Sequence, residues 1–346
     1  MKAFVMAAGI GTRLRPLTYH VPKPLVPIVN IPVIGHLMRN LSEHGINKIV
    51  VNLHYYPKMI TSYLNDGKRW NLDIKYSYEK TLLGTAGGVK LQEKFFNETF
   101  IVTSADGLSD INFTKLVKYH KSKKSIATIA LKSIDMKLEY GVVETDKRLR
   151  IKNFVEKPMW GDIFSDYVNT GIYVFEPEIF RYIPKNTVYD FGKQLLPKLV
   201  EKGLPVYGYL MDEYWCDVGN LQEYKRAQHD CLDGKVKVII NGEQIAPNVW
   251  VGRNTKIPKS LKIIPPVVIG RDVKLGKNCI IGNYSVIGSM SEIGNSVKIQ
   301  DSILWQKVKV KPKVNLNSCV IGYSAVVSES ISMFEGAVLN VKNIKL

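Results

Sequence analysis

From Trp250 onward the chain is periodic, and no other feature constrains its fold as strongly. Positions 251, 257, 263, 269, 275, 281, 287, 293 and 299 are Val, Ile, Ile, Ile, Leu, Ile, Ile, Ile and Ile, and Gly follows at 252, 270, 276, 282, 288 and 294. An aliphatic residue at every sixth position over such a span is not a chance pattern, and calls for short equivalent units stacked on a shared interior. The residues four further on, Val273, Cys279, Ser285, Ser291 and Val297, are small, as a narrow interior requires. The phase slips near Trp305–Val314 and returns, shifted, at Ile321-Gly322, which reads as a loop or an irregular coil.

The other end of the chain opens differently. Lys2–Met6 predicts a short interior strand, and it breaks into Ala7-Ala8-Gly9-Ile10-Gly11, a turn with almost no side chain. Such a loop lets backbone N–H groups approach an anion closely. Thr12, Arg13 and Arg15 follow, then Lys23 between two prolines that stiffen its approach. Together they read as a cradle for a polyphosphate. A dinucleotide-binding Gly-x-Gly-x-x-Gly fits poorly, because Leu14 stands at the third glycine and the second strand ends in Asn52 rather than an acid. A Walker-type loop fails for want of a closing Gly-Lys-Ser/Thr.

Between these ends, strands predicted at Lys48–Asn52, Leu72–Tyr78 and Phe100–Ser104 alternate with helices, which argues for a parallel, doubly wound α/β sheet. Phe100–Ser104 runs directly into Ala105-Asp106-Gly107, placing Asp106 off the carboxyl end of a strand, where ligands bind in such folds. After Ser125–Leu131 strands follow with little helix between them, as for a substrate-binding lobe added to the sheet. Cys231-Leu232-Asp233-Gly234 closes the first domain, dividing the chain into residues 1–234 and 235–346.

Gly9-Ile10-Gly11-Thr12-Arg13-Leu14-Arg15-Pro16-Leu17-Thr18, followed by Pro22-Lys23-Pro24-Leu25, resembles the signature of the sugar-1-phosphate nucleotidyltransferases, closest to the bacterial mannose-1-phosphate guanylyltransferase branch. The hexad period in turn resembles that of left-handed parallel β-helices, in which three hexads make one triangular coil. The resemblance implies a Rossmann-like mixed-sheet catalytic domain followed by such a β-helix.

It also implies roles. Ala8, Gly9, Gly11 and Thr12 would line the nucleotide loop, Arg13 would meet the pyrophosphate being expelled, and Lys23 the phosphates near the reacting centre. Asp106 and Asp217, the latter in Tyr214-Trp215-Cys216-Asp217, would hold Mg²⁺, which needs few protein carboxylates. Asp110 suits capping of the following helix. In Phe154-Val155-Glu156-Lys157-Pro158 and Val168-Asn169-Thr170-Gly171, Lys157 would bind the sugar's phosphate and Glu156 its hydroxyls, with Asn169, Thr170 and the Gly141 backbone completing the pocket. Leu83-Gly84-Thr85-Ala86-Gly87 resembles the base-contacting loop. Relatives using uridine or thymidine nucleotides carry Gln where this chain has Glu79. A carboxylate only accepts hydrogen bonds, which suits guanine N1–H and the N2 amino group.

The expected reaction is therefore mannose 1-phosphate with GTP to GDP-mannose and pyrophosphate. The alternatives are a glucose-1-phosphate uridylyl-, thymidylyl- or adenylyltransferase, or a non-catalytic subunit of the same architecture. An acyltransferase role for the β-helix is disfavoured, since the last histidine is His229. The β-helix is expected to be dispensable for chemistry and to serve as scaffold and homo-oligomer interface. The net charge of +17 reads as dispersed lysine on solvated faces plus an acidic small substrate, with neither nucleic acid nor membrane as a partner. No apolar run reaches the ~18 residues of a membrane span. With no leader pattern and four cysteines lacking metal or redox spacing, a cytoplasmic location is expected.

Overall fold

A computed structural model describes residues 1–134, 140–156, 165 and 167–339. The chain forms two compact units, one of Met1–Ile10 with Ile34–Asp217, the other of Gly11–Val33 with Val218–Leu346.

In the first unit, Lys2–Met6 lies at the centre of a nine-stranded sheet, paired in parallel with Lys48–Leu53 on one side and Phe100–Ser104 on the other. Asp73–Tyr78 extends the parallel part beyond Lys48–Leu53. Ala3, Phe4 and Val5 are fully buried, as an interior strand covered on both faces demands. Beyond Phe100–Ser104 the sheet turns mixed. Tyr167–Phe175 pairs antiparallel with it, and Ala127–Ser133, Val142–Thr145, Ile151–Val155 and Val206–Leu210 complete that half. The predicted change from helix-rich to strand-rich sequence after Ser125 is this change of pairing. A core of Phe96, Phe100, Phe175, Phe180 and Phe191 stacks behind the mixed half, with Phe100 and Phe180 nearly parallel at 5.6 Å. Helices Val33–Glu43, Pro57–Leu64 and Phe113–Ser122 lie between the strands in sequence.

The second unit is a triangular parallel β-helix with one helix against it. Val267 pairs with Ser285 and Lys298 with Ile280, an eighteen-residue coil of three hexads. The predicted interior positions are buried at Ile269, Ile281, Ile287, Ile293 and Ile299, and the small neighbours Val273, Cys279, Ser285, Ser291 and Val297 are buried with them. Of the two readings of the phase slip, the structure has the irregular coil and not the loop. Left-handed φ recurs at the corners every six residues through Asp272, Asn278, Tyr284, Met290 and Ser296, then after five at Asp301, and again after five from Lys313 to Ser318. Three corners, those at Asp301, Ser318 and Glu335, are one residue short, so coils pair at seventeen from Val286 with Ile303 onward. There is no loop: Leu304, Val310 and Leu316 continue the buried interior through the stretch where the period is lost in sequence.

The helix Leu221–Leu232 runs along the corner column that contains the short turns. Asp233 Oδ1 accepts from Tyr284 Oη at 2.9 Å, His229 Nε2 lies 2.6 Å from Asp301 Oδ1, and Lys225 Nζ donates to Ser318 Oγ. The helix also holds the early stretch Gly11–Val33. Gln228 accepts from the Val29 N–H and donates to Pro27 O, each at 2.8 Å. Tyr224 Oη donates to the same carbonyl and accepts from Trp305 Nε1, while Asn30 Nδ2 donates to Ile287 O. These buried, satisfied bonds explain why compactness divides the chain elsewhere than at Gly234.

Candidate active site

Asp106 follows the central strand Phe100–Ser104, and Asp217 ends the short strand Trp215–Asp217. That strand pairs antiparallel with Gly107–Ser109, placing Asp217 opposite Gly107 and therefore one residue from Asp106. Opposed Cα atoms in such a ladder lie about 4.5–5.5 Å apart, so the ribbon brings together two carboxylates distant in sequence. Both are half-buried. The Ser104 hydroxyl donates to Asp106 Oδ1 and fixes how that carboxylate is turned. Two carboxylates offering only oxygen fit a hard divalent cation that keeps much of its shell as water and phosphate. Asp110 is not a helix cap. Asn112 caps Phe113–Ser122 by accepting from the Lys115 N–H at 2.9 Å, and Asp110 instead accepts from the Tyr214 N–H, steadying the approach to Asp217.

Of the residues expected around the sugar phosphate, Asn169, Thr170 and Gly141 come together beside this ribbon. The Asn169 N–H donates to Gly141 O at 2.8 Å, and Asn169 Oδ1 accepts from the Gly171 N–H. Asn169 Nδ2 donates to Tyr173 Oη, a phenol that burial pushes well above its usual range. Trp215 Nε1 donates to Thr170 O at 3.1 Å, joining pocket to ribbon. A small cavity lined by Ser104, Gly107, Thr170 and Trp215 opens there. Glu156 is placed by two glycines. A Cβ on Gly141 would stand 2.7 Å from Glu156 Oε2, and one on Gly192 would be closer still. Lys157 lies outside the described residues.

The loop expected to face the base is held from within. Gly84 has φ +74°, and a Cβ there would meet Tyr189 O at 2.7 Å. Thr85 does not offer a spare hydroxyl: its Oγ1 donates to Asp190 Oδ1 and accepts from the Phe191 N–H at 2.8 Å. Glu79 is 6% exposed, and both its oxygens are engaged. Oε1 accepts from Asn52 Nδ2 at 2.7 Å and Oε2 from the Leu83 N–H at 3.1 Å. Asn52 Oδ1 in turn accepts from the Ala7 N–H at 2.7 Å. One buried chain of bonds thus links the start of the opening loop, Asn52, Glu79 and the base loop. Sequence alone missed Asn52 and Asp190 because each acts on a partner far along the chain. The one signal was that Asn52 stands within a buried strand, where a polar side chain needs a reason.

Of the opening loop, Ala8 is buried in the first unit and Gly9 has open space where a Cβ would stand. Gly11 begins the part in the second unit. It has φ +70°, and a Cβ there would press on Lys23 Cβ at 2.9 Å, so glycine is needed for the lysine's stem to pass. Thr18 Oγ1 donates to Gly11 O and closes the turn. Thr12 and Arg13 are exposed on the short helix Thr12–Leu14, whereas Lys23 is buried.

Fold and site define an α/β enzyme that handles nucleotides and phosphates. Residues 2–234 match the nucleotidyl transferase family and residues 246–344 match the LbH domain of EIF2B subunit epsilon. The chain belongs to the nucleotidyltransferase family and carries a left-handed β-helix domain. It is 40% identical over 304 residues to a UTP–glucose-1-phosphate uridylyltransferase of Synechocystis, covering 78% of each chain. It is 32% identical over 234 residues to a mannose-1-phosphate guanylyltransferase of Mycobacterium tuberculosis, covering 67% of this chain and 65% of that one. The fold of HddC from Yersinia pseudotuberculosis superposes with a TM-score of 0.58 at 25% identity, covering 66% of this chain and 99% of that one.

Proposed function

We propose that the protein transfers uridine monophosphate from UTP to glucose 1-phosphate and releases pyrophosphate. A phosphate oxygen of the sugar phosphate attacks the α-phosphorus, and the bond from that phosphorus to the β-phosphate bridging oxygen breaks. No protein nucleophile is needed, so the chain's residues position and neutralise. Arg13 faces the leaving pyrophosphate, Lys23 the phosphates at the reacting centre, and Lys157 the phosphate of the sugar. Glu156 and Asn169 orient the sugar. Asp106 and Asp217 would hold Mg²⁺, which supplies charge neutralisation across the phosphates when bound.

The observation that favours uridine is the engagement of Glu79. A carboxylate reading guanine must give two lone pairs to the base, and here both oxygens already accept bonds that shape the loop. Base recognition then falls to backbone groups around Gly84, which offer both donors and acceptors, as the N3–H and O4 of uracil require. The similarity to the Synechocystis uridylyltransferase supports the same reading. GTP with mannose 1-phosphate is the second reading. It is favoured by the second lone pair that each Glu79 oxygen retains and by the guanylyltransferase relatives. Pyrophosphate release should be measured across UTP, GTP, ATP and dTTP with each of the two sugar phosphates. UTP with glucose 1-phosphate should lead. A lead for GTP with mannose 1-phosphate selects the second reading, and release with no pair overturns both.

A further inference from the structure

The lysines that look dispersed in sequence are sorted by the coils. Residues 246–339 hold twelve Lys and Arg side chains, and ten of them fall on one side of the prism. That side is built on its own four-stranded sheet, Lys274–Leu275, Glu292–Ile293, Lys309–Val310 and Val326–Val327. Lys274 and Lys309 project from the strand column, with Lys256 one eighteen-residue coil before Lys274. Arg253 and Arg271 stack at the corner before the strands, where the Asp272 N–H donates to Arg253 O. Lys259 and Lys277 stack at the corner after them, and Lys307, Lys311 and Lys313 continue both margins. All ten are exposed. Asp272, Glu292 and Glu329 are the acids on this side. Glu292 pairs with Lys274 and Lys309 and Asp272 with Arg271, and the other seven cations make no ion pair with another described residue. The corner that carries Tyr284, Asp301 and Ser318 is taken up by the helix Leu221–Leu232.

We propose that this face docks the protein onto an anionic membrane surface. The face is flat because its strands repeat in register, and its cations spread over the whole width of a coil, roughly 20 Å for six residues. A cylindrical duplex touches a flat face along a line and meets one column at a time, whereas a planar layer of lipid phosphates and carboxylates meets every column together. Eight of the ten cations are lysine, and the ten alternate with no aromatic side chain on which a base could stack. Basic clusters next to anionic lipid bind additively and weaken with salt. The association is peripheral: among the described residues no helix is long and apolar enough to cross a membrane. It is independent of which nucleotide and sugar the enzyme uses.

The test is sedimentation of the full chain with vesicles of phosphatidylcholine alone and with about one third phosphatidylserine, over a salt series. The protein should bind the anionic vesicles at low salt, release as salt rises, and ignore the neutral ones. Joint substitution Lys307→Glu, Lys309→Glu, Lys311→Glu and Lys313→Glu should lower partitioning by about 100-fold or more. The same charge change made elsewhere, by Lys115→Glu, Lys118→Glu, Lys121→Glu and Lys147→Glu, should lower it far less. Both variants should keep parental circular dichroism and pyrophosphate release. Equal loss in both variants would show that net charge acts rather than the face, and would overturn the proposal. So would a failure to bind anionic vesicles, or tighter binding to a DNA duplex at matched salt.

Discussion

At the scale of single residues, the site rests on side chains that aim or brace other groups. Ser104 is one: its hydroxyl turns Asp106. Ser104→Ala should raise the Mg²⁺ needed for half-maximal rate by about 10-fold. It should weaken direct Mn²⁺ binding in parallel, leave the KM for the sugar phosphate in place, and be rescued by Ser104→Thr. Glu79 is another. Glutamine there has one acceptor oxygen, so either Asn52 Nδ2 or the Leu83 N–H would face an amide NH₂, costing about 1–3 kcal/mol. Glu79→Gln should therefore lower the melting temperature and depress kcat/KM for every nucleotide alike. A selective loss of GTP with a gain of UTP would instead make Glu79 the reader of the base. The candidate carboxylates, glycines and basic residues could be named from sequence because their motifs are contiguous. The Asn52–Glu79 and Thr85–Asp190 pairs were not, because nothing local marks which distant residue completes a bond.

Whole elements were read best where burial is continuous. The interior strands Lys2–Met6 and Phe100–Ser104 match their sequence limits because both faces are covered and the apolar run is unbroken. Pro32 joins a two-residue strand pairing with Pro27–Ile28, and the first long helix begins after it at Val33. The short corners were illegible for a different reason: deleting one residue from a turn shifts every later position and looks like loss of order. The corners at Asp301 and Ser318 also carry the clasp on the helix Leu221–Leu232. Burial would raise the Asp301 pKa, but hydrogen bonds from His229 and Ser318 and the Lys225 ammonium outweigh it and hold the carboxyl down to about 2. A group depressed on folding stabilises fully above its unfolded value of 3.8, and that stabilisation fades as pH falls toward 2. Asp301→Asn should thus melt lower than the parent at pH 6, with the gap closing between pH 4 and pH 2 in thermal melts at stepped pH.

Over the whole molecule, the early stretch Gly11–Val33 belongs to the same compact unit as the β-helix. This changes what truncation should do. Ending the chain after Gly234 removes Ile287 and Trp305, which hold Asn30 and Tyr224, and so loosens the segment that carries Arg13 and Lys23. The shortened protein should lose at least ~10-fold in pyrophosphate release, the scale of displacing a preorganised charge donor. Parental turnover would return the β-helix to the dispensable scaffold its sequence suggests. The contacts of the helix with the corner column set a limit of their own. Asp233, His229 and Lys225 step along the helix by four residues, about 6 Å, while Tyr284, Asp301 and Ser318 step by one coil, about 4.8 Å. The two scales behave as a vernier. They coincide over three graduations and are about 2.4 Å out of step by the third unless the helix tilts. Further coils would find no further turn of helix in phase with them, so the length of the solenoid can vary without strengthening or weakening its grip.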